Sequence, residues 1–254
     1  MTTVDKTFDI LEHLANGGPR LALAQLHEMT AIPKPTLYRM LRTMVDHGLV
    51  RHDGSGRYSV GRGVFRLAGE VYRQVSVPAA ARQVMVDLQT VAPETVHISA
   101  FRYGQLVYVE KLEALHPYQM ASRVGKLQAL HSSAIGKAVL AQLPAEQADA
   151  LLADHRLEAF TSTTIVDRSQ LAAALPEIRA QGYAMDDEED EDGLRAIGVA
   201  FRDGADHPIG GISIVAPSFQ MSVEQAHTYA PAVKEAAMRL EEILAESPSE
   251  PSWP

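Results

Sequence analysis

The chain has 254 residues, 46% of them hydrophobic, and no cysteine. That is ample for a packed core, and it excludes disulfides and cysteine-ligated zinc. No apolar run approaches the roughly 18 residues that a membrane span needs. The N-terminus shows no signal-peptide pattern, and the lack of thiols suits a reducing, cytoplasmic location. The formal net charge of −9 argues against a nucleic-acid partner for the chain as a whole, but it is unevenly spread. Residues 1–74 hold ten basic and seven acidic side chains, a balance of +3, whereas 75–254 hold thirteen and twenty-five, or −12. Such asymmetry marks a separate nucleic-acid module beside an acidic body that discourages non-specific binding.

In chain order, Val4, Phe8, Leu11 and Ala15 keep helical spacing until Gly17-Gly18-Pro19 breaks it. Leu21, Leu23, Leu26 and Met29 predict a second short helix, with Thr30-Ala31-Ile32 as a turn. Next comes IPKPTLYRMLRTMVDHGLVRHDGSGRYSVG, residues 32–61. Leu37, Met40, Leu41, Met44 and Val45 share one helix face. Pro33 and Pro35 stand where a missing N–H costs nothing, and Gly48 stands where a C′ residue ends a helix. The outer face carries Lys34, Thr36, Tyr38, Arg39, Arg42 and Thr43. Two β-type runs, Leu49–His52 and Arg57–Val60, flank Asp53-Gly54-Ser55-Gly56, a hairpin signal.

From Pro33 to Arg66 there are seven basic residues and two Asp, a local balance of +5. Three helices, a basic helix face and a hairpin bearing Arg51 and Arg57 are the parts of a winged helix-turn-helix over residues 1–61. A helix fits the major groove of duplex DNA, where Arg and Lys bond guanine or phosphate. The plainer reading of the same residues is a solvated amphipathic helix beside an ordinary hairpin.

Residues 62–76 read as a linker and dimerisation helix. Phe65 and Tyr72 are candidate dimer contacts, unless that helix packs on its own domain. From Pro78 the character changes. Ala80, Val84, Leu88 and Val91 mark a helix ending at Ala92-Pro93. Thr95–Phe101 and Gln105–Glu113 alternate as strands around Tyr103-Gly104, and Tyr118–Arg123 reads as a third strand. Helices are expected near Ser133–Leu143, Ala145–Asp154 and Ser169–Gln181. Strands return at Ala184–Asp186, Ala196–Arg202 and Ile209–Val215. Ser222 with Gln225 forms a capping box that opens a last helix to about Glu246. The Pro- and Ser-rich tail, 247–254, is expected to be disordered. Residues 77–246 thus form a second domain, and the chain is α+β.

In that domain Leu130–Ala138, LHSSAIGKA, starts a helix with small residues. Free N–H groups and the helix dipole make such a start an anion site, with Ala134 and Ile135 as donors and Ser132 or Ser133 as cap. An ordinary capped helix reads the same way. It is neither a phosphate loop nor a Ser-x-x-Lys nucleophile. The run Asp186–Asp192 invites a metal but lacks the calcium-loop spacing, and charge runs are usually solvated faces. His97, His116, His131, His155 and His207 lack close metal spacing and read as structural. No cofactor or metal is called for.

Taken together, PKPTLYRMLRTMVDHGLV, GRYSVG, LHSSAIGKAVLA, and DDEEDEDGLRAIGVAFRD followed by GGISIVAP resemble the isocitrate-lyase-regulator (IclR) family across residues 4–246. The resemblance implies a winged helix-turn-helix, a linker helix and a GAF-like effector-binding domain. It also implies a homodimer, or a dimer of dimers as a homotetramer, that represses or sometimes activates a catabolic operon from a palindromic operator in double-stranded DNA. The effector implied is a small carboxylate or aromatic acid. By motif position it meets backbone N–H groups at Ala134 and Ile135, with further contacts at Asp186, Ala196, Ser213 and Val215. Met120 and Leu127 are expected to add apolar wall. Where this chain has Ala196 many relatives have cysteine, and where it has Val215 they have a hydroxyl. That departure suggests a less hydrophilic effector, such as an aromatic acid.

The leading reading is therefore a ligand-controlled transcription factor and not an enzyme. Arg39 and Arg42 would contact bases or phosphates, Lys34, Thr36 and Tyr38 would position the helix, and Arg51 and Arg57 would grip the flanking DNA. The alternatives are an effector-independent DNA-binding protein and an enzyme with an N-terminal dimerisation module, although no nucleophile–base pair, phosphate loop or metal set supports the latter.

Overall fold

The structure, a computed structural model, describes residues 2–16, 20–64, 66–67, 77–114, 122–154 and 157–246. Several expectations fall outside these residues: most of the linker helix with Phe65 and Tyr72, most of the strand expected at Tyr118–Arg123, Met120, His116, His155, and the tail. The chain divides into two compact units, Met1–Arg73 and Gln74–Pro254.

The first unit contains α1 (Thr3–Asn16), β1 (Leu21–Ala22), α2 (Leu23–Thr30), α3 (Lys34–Asp46), β2 (Val50–His52) and β3 (Arg57–Val60). Ile10, Leu14, Leu26, Leu37, Leu41 and Met44 make its core. The buried face of α1 is thus Ile10 and Leu14, not the stripe expected from spacing, since Val4 and Phe8 are exposed. Two apolar stripes compete on that helix, and the one facing α2 wins. Leu21 likewise belongs to a strand and not to α2, because β1 pairs antiparallel with β3, Leu21 opposite Tyr58.

Ala31 adopts a left-handed conformation between α2 and α3 (φ 54°), giving a helix-turn-helix. Pro33 caps α3 and Pro35 sits in its first turn. Gly48 (φ 71°) ends α3, with Gly48 N–H on the Val45 carbonyl (2.9 Å) and Leu49 N–H on the Met44 carbonyl (2.8 Å). This pair of bonds is a Schellman motif, for which glycine is the favoured residue. The β2–β3 hairpin follows as the wing, with Arg51 opposite Ser59.

The second unit is a six-stranded antiparallel sheet, ordered β6-β5-β4-β9-β8-β7. Its strands are β4 (Thr95–Arg102), β5 (Gln105–Leu112), β6 (Leu127–Gln128), β7 (Ala184–Asp187), β8 (Leu194–Arg202) and β9 (Pro208–Pro217). The β4–β5 turn has positive φ at both Tyr103 and Gly104, as a two-residue hairpin turn requires. The helices are α4 (Ala79–Val91), α5 (Ala134–Gln142), α6 (Ala145–Asp154), α7 (Arg168–Gln181) and α8 (Val223–Glu246).

Period-2 alternation divides the sheet. Val96, Ile98, Ile197, Val199, Phe201, Ile212 and Ile214 pack with Val84, Met85 and Leu88 of α4 and Val233 and Leu240 of α8. On α4 the buried set is Ala81, Val84, Met85 and Leu88, while Val91 lies out in solvent. A second core, built from α5, α6 and α7 with Leu106 and Ala184, covers part of the opposite face. The expected capping box on α8 is half formed. Gln225 N–H meets Ser222 Oγ at 3.2 Å, but the Gln225 side chain donates to Tyr229 instead.

Candidate functional sites

The first site is the outer face of α3 with the wing. Burial of Leu37, Leu41 and Met44 turns Lys34, Tyr38, Arg39 and Arg42 outward, and Thr36 sits half-buried at the edge. Arg51 and Arg57 are exposed on the two hairpin strands. Among the described residues the only ion pair near this face is Arg20 with Asp53 at 3.5 Å. The cations of Lys34, Arg39, Arg42, Arg51 and Arg57 therefore have no ion-pair partner among the described residues. At the wing's tip, Asp53 accepts the Ser55 hydroxyl (2.7 Å) and the N–H groups of Ser55 (2.9 Å) and Arg57 (3.2 Å). These bonds, the Ser55 side chain first, hold its carboxyl down at about 2. Asp53 thus stiffens the turn between the two arginine-bearing strands.

The second site lies on the sheet face opposite α4 and α8. Because alternate residues share a face, His97 of β4, Tyr108 of β5, Asp186 of β7, Ala196 of β8, and Ser213 and Val215 of β9 all line one cavity with Ala134 and Ile135. Strand register brings them together: His97 is opposite Ser213, Asp186 opposite Ala196, and Ala196 opposite Val215. The cavity volume is about 40 Å³.

The start of α5 forms one wall. Ser133 is its N-cap, accepting the Gly136 N–H at 3.1 Å, and Ser132 donates to Asp190 at 2.5 Å. The Ala134 and Ile135 N–H groups have no intrahelical carbonyl to meet and carry the positive end of the helix dipole.

Across the cavity, Asp186 is 7% exposed, and its Oδ1 accepts N–H groups from Glu189 (2.8 Å) and Asp190 (3.2 Å). Burial, then the charge of Asp190, pushes its carboxyl up to about 7. His97 is 1% exposed. Its Nε2 lies 2.8 Å from the Ser122 hydroxyl, and its enclosed Nδ1 has no partner among the described residues. Burial, then the charge of Lys111, pulls this imidazole down to about 3, so it is neutral. Burial also raises the Tyr108 phenol, whose ring packs 4.6 Å from His97.

The run Asp186–Asp192 is a solvated face only in part, with Asp187, Glu191 and Asp192 exposed. Asp186 and Glu189 are buried, Glu189 pairs with the buried Lys137, Asp187 pairs with Arg195 (2.6 Å), and Thr164 ties the Glu189 carbonyl at 2.6 Å. Side chains from α5, β8 and the Thr161–Thr164 turn recruit what alone would be a hydrated loop.

Of the residues expected at the pocket, Ala134, Ile135, Asp186, Ala196, Ser213 and Val215 are brought together. Leu127 is not. It is 56% exposed and lines a neighbouring hollow with Leu130, His131 and Phe160. Its neighbour Gln128 lines the pocket instead, as alternation along β6 demands. Sequence reasoning also missed His97, Tyr108, Ser122, Lys126 and Asp190. The signal for His97 was present: in Thr95-Val96-His97-Ile98-Ser99 the residues flanking it belong to the core face, so His97 must occupy the other.

Residues 3–54 match the family model "IclR helix-turn-helix domain", and residues 56–242 match "Bacterial transcriptional regulator IclR C-terminal". The chain is 32% identical over 245 residues to the HTH-type transcriptional regulator KdgR of Dickeya chrysanthemi, covering 96% of this chain and 80% of that one. Among solved structures, the IclR of Thermotoga maritima aligns with a TM-score of 0.77 at 27% identity, over 95% of this chain and 98% of its own. An IclR homolog from Microbacterium hydrocarbonoxydans, solved with 4-hydroxybenzoate, shares the fold with a TM-score of 0.76 at 21% identity, over 95% and 98% of the two chains.

Proposed function

The chain belongs to the IclR family of bacterial transcriptional regulators, and from that premise we propose that it represses a catabolic operon until a small, oxygen-rich carboxylate binds its C-terminal domain. It is a DNA-binding regulator with an effector-binding domain rather than an enzyme. In this reading α3 enters the major groove, with Arg39 and Arg42 at bases or phosphates and Lys34, Thr36 and Tyr38 fixing its register. Arg51 and Arg57 hold the flanking backbone, and a homodimer or dimer of dimers spans a palindromic operator. The C-terminal sheet with its helices serves as a GAF-like sensor, and residues 62–76 carry its state to the DNA-binding unit.

The effector reading rests on one observation: Ala134 and Ile135, at a helix start whose first N–H groups lack intrahelical partners, line the same cavity as Asp186, Ser213 and His97. The N–H groups suit a carboxylate, and the polar wall suits hydroxyl or oxo groups. Taken alone, Ala196 and Val215 favour an apolar acid. His97, Tyr108, Ser122 and Gln128 outweigh them, and the cavity of about 40 Å³ is small beside the roughly 150 Å³ that houses a benzene ring.

Calorimetry with glycerate, lactate, pyruvate and 4-hydroxybenzoate tests this. The proposal expects one of the aliphatic acids to bind at least tenfold tighter than 4-hydroxybenzoate. The reverse order would restore the aromatic reading.

Effector binding changes DNA affinity only if the two arrangements of the protein bind the effector differently. The proposed direction is release: the DNA-competent arrangement is the one with the weaker pocket.

A further inference from the structure

The proposed effector is an anion, yet among the described residues its cavity is lined by three carboxylates, those of Asp186, Asp190 and Glu191, and by a single ammonium, that of the exposed Lys126. The nearby Lys137 ammonium is committed to Glu189, and Arg195 is committed to Asp187. Elementary electrostatics says that an ionised carboxylate does not enter such a site unless something compensates it.

We propose that the pocket takes up a monocarboxylate together with one proton, which Asp186 carries, and that it excludes dicarboxylates. This inference rests on the effector reading above. Asp186 is held in place by the Glu189 and Asp190 N–H groups, both on its Oδ1, and its second oxygen has no partner among the described residues. A carboxylate seated on the Ala134 and Ile135 N–H groups shares the small cavity with that oxygen. With Asp186 ionised, two negative groups confront each other in a small cavity where burial already disfavours the charged form of Asp186. With Asp186 protonated, its O–H donates to the ligand, a short charge-assisted hydrogen bond in place of repulsion.

The groups around Asp186 leave it as the site of the proton. From its own loop come the carboxylates of Asp190, Glu191 and Glu189. From α5 comes Lys137, from β5 Tyr108, from β4 His97, and from the turn before β6 Lys126. Burial, then the neighbouring Asp190 charge, brings the Asp186 carboxyl to about 7, so the proton is available near neutrality. The same surroundings hold Tyr108 and His97 in their uncharged forms. A second carboxylate on the ligand would have to face Asp190 and Glu191, and no uncommitted buried cation among the described residues would meet it.

The sign follows from linkage. Asp186 has a raised pKa in the free protein and a still higher one with an anion beside it. Affinity is flat while Asp186 is protonated in both states and falls tenfold per pH unit above about 7. The test is calorimetry of the full chain with pyruvate, glycerate and lactate, and with malonate as the dicarboxylate, from pH 6 to 8.5. Each titration is run in buffers of unequal ionisation heat to count protons.

The expected result is uptake of close to one proton per acid at pH 8 and close to none at pH 6, with malonate silent. Asp186→Asn keeps an oxygen for the two N–H groups and an N–H donor toward the ligand. It should bind the acid with no pH dependence and no proton uptake. If a monocarboxylate binds the wild type with unchanged affinity across this range, or malonate binds as well, the proton proposal is overturned while the effector reading stands. If no acid binds at any pH, the effector reading falls and takes this inference with it. The proton count on the wild type decides the matter even if the variant fails to fold.

Discussion

Gly198 on β8 lies directly beneath Ala134: a Cβ on Gly198 would sit 2.6 Å from the Ala134 carbonyl carbon and from the Ile135 nitrogen. The strand therefore fixes the height of the helix start, and the Ile135 nitrogen it touches carries one of the two N–H groups assigned to the effector. Backbone does not yield as a flexible side chain does. We expect Gly198→Ala to cost about 1–3 kcal/mol of stability through overpacking. It should weaken effector binding at least tenfold while leaving DNA binding in place. Thermal unfolding and calorimetry check both. Unchanged effector affinity in a destabilised variant would remove α5's first turn from the site.

The Lys137–Glu189 pair anchors the acidic loop to α5. Both side chains are nearly enclosed, and one Glu189 oxygen has no partner among the described residues. Breaking such a pair strands a buried charge, so Lys137→Met should cost about 3–5 kcal/mol. Adding Glu189→Leu should recover most of that loss. A denaturant series on both variants tests it, and equal instability of the single and double variants would show that the pair does not carry the effect.

Arg42 separates base reading from backbone grip. If it contacts a base, Arg42→Ala should weaken operator binding by about 1–3 kcal/mol and relax sequence preference. If it contacts phosphate, the loss should be equal on operator and random duplex, with a shallower salt slope. Filter binding on both duplexes distinguishes the two.

Leu41 is fully buried in the core of the DNA-binding unit. Leu41→Ala should destabilise that unit by about 2–5 kcal/mol. Because the two units have separate cores, DNA binding should fail first while the heat of effector binding persists. Simultaneous loss of both would mean that the units unfold as one.

Much of this was legible in the sequence, and the exceptions have physical causes. Helical and strand periods located α3, the wing, β4, β5, β8, β9 and α8, because long periodic runs carry their own signal. On α1 two apolar stripes were available, and only contact with α2 selects Ile10 and Leu14 over Val4 and Phe8. The two-residue strands at Leu21 and Leu127 are defined by their partners, not by their own pattern. The pocket was half visible. Its helix start followed from the run of small residues at Leu130–Ala138 and its strand residues from the family resemblance, but His97, Tyr108 and Gln128 join it only through the six-stranded order. The fate of the acidic run depended on Lys137, Arg195 and Thr164, which lie far from it in sequence.

The most direct test of the central claim is fluorescence anisotropy on the intergenic DNA beside the protein's own gene, with random-duplex competition, a salt series and the acid panel. The account predicts specific, salt-dependent binding that one small acid weakens at least tenfold, a coupling of about 1.4 kcal/mol. Binding no tighter than to random duplex would contradict it.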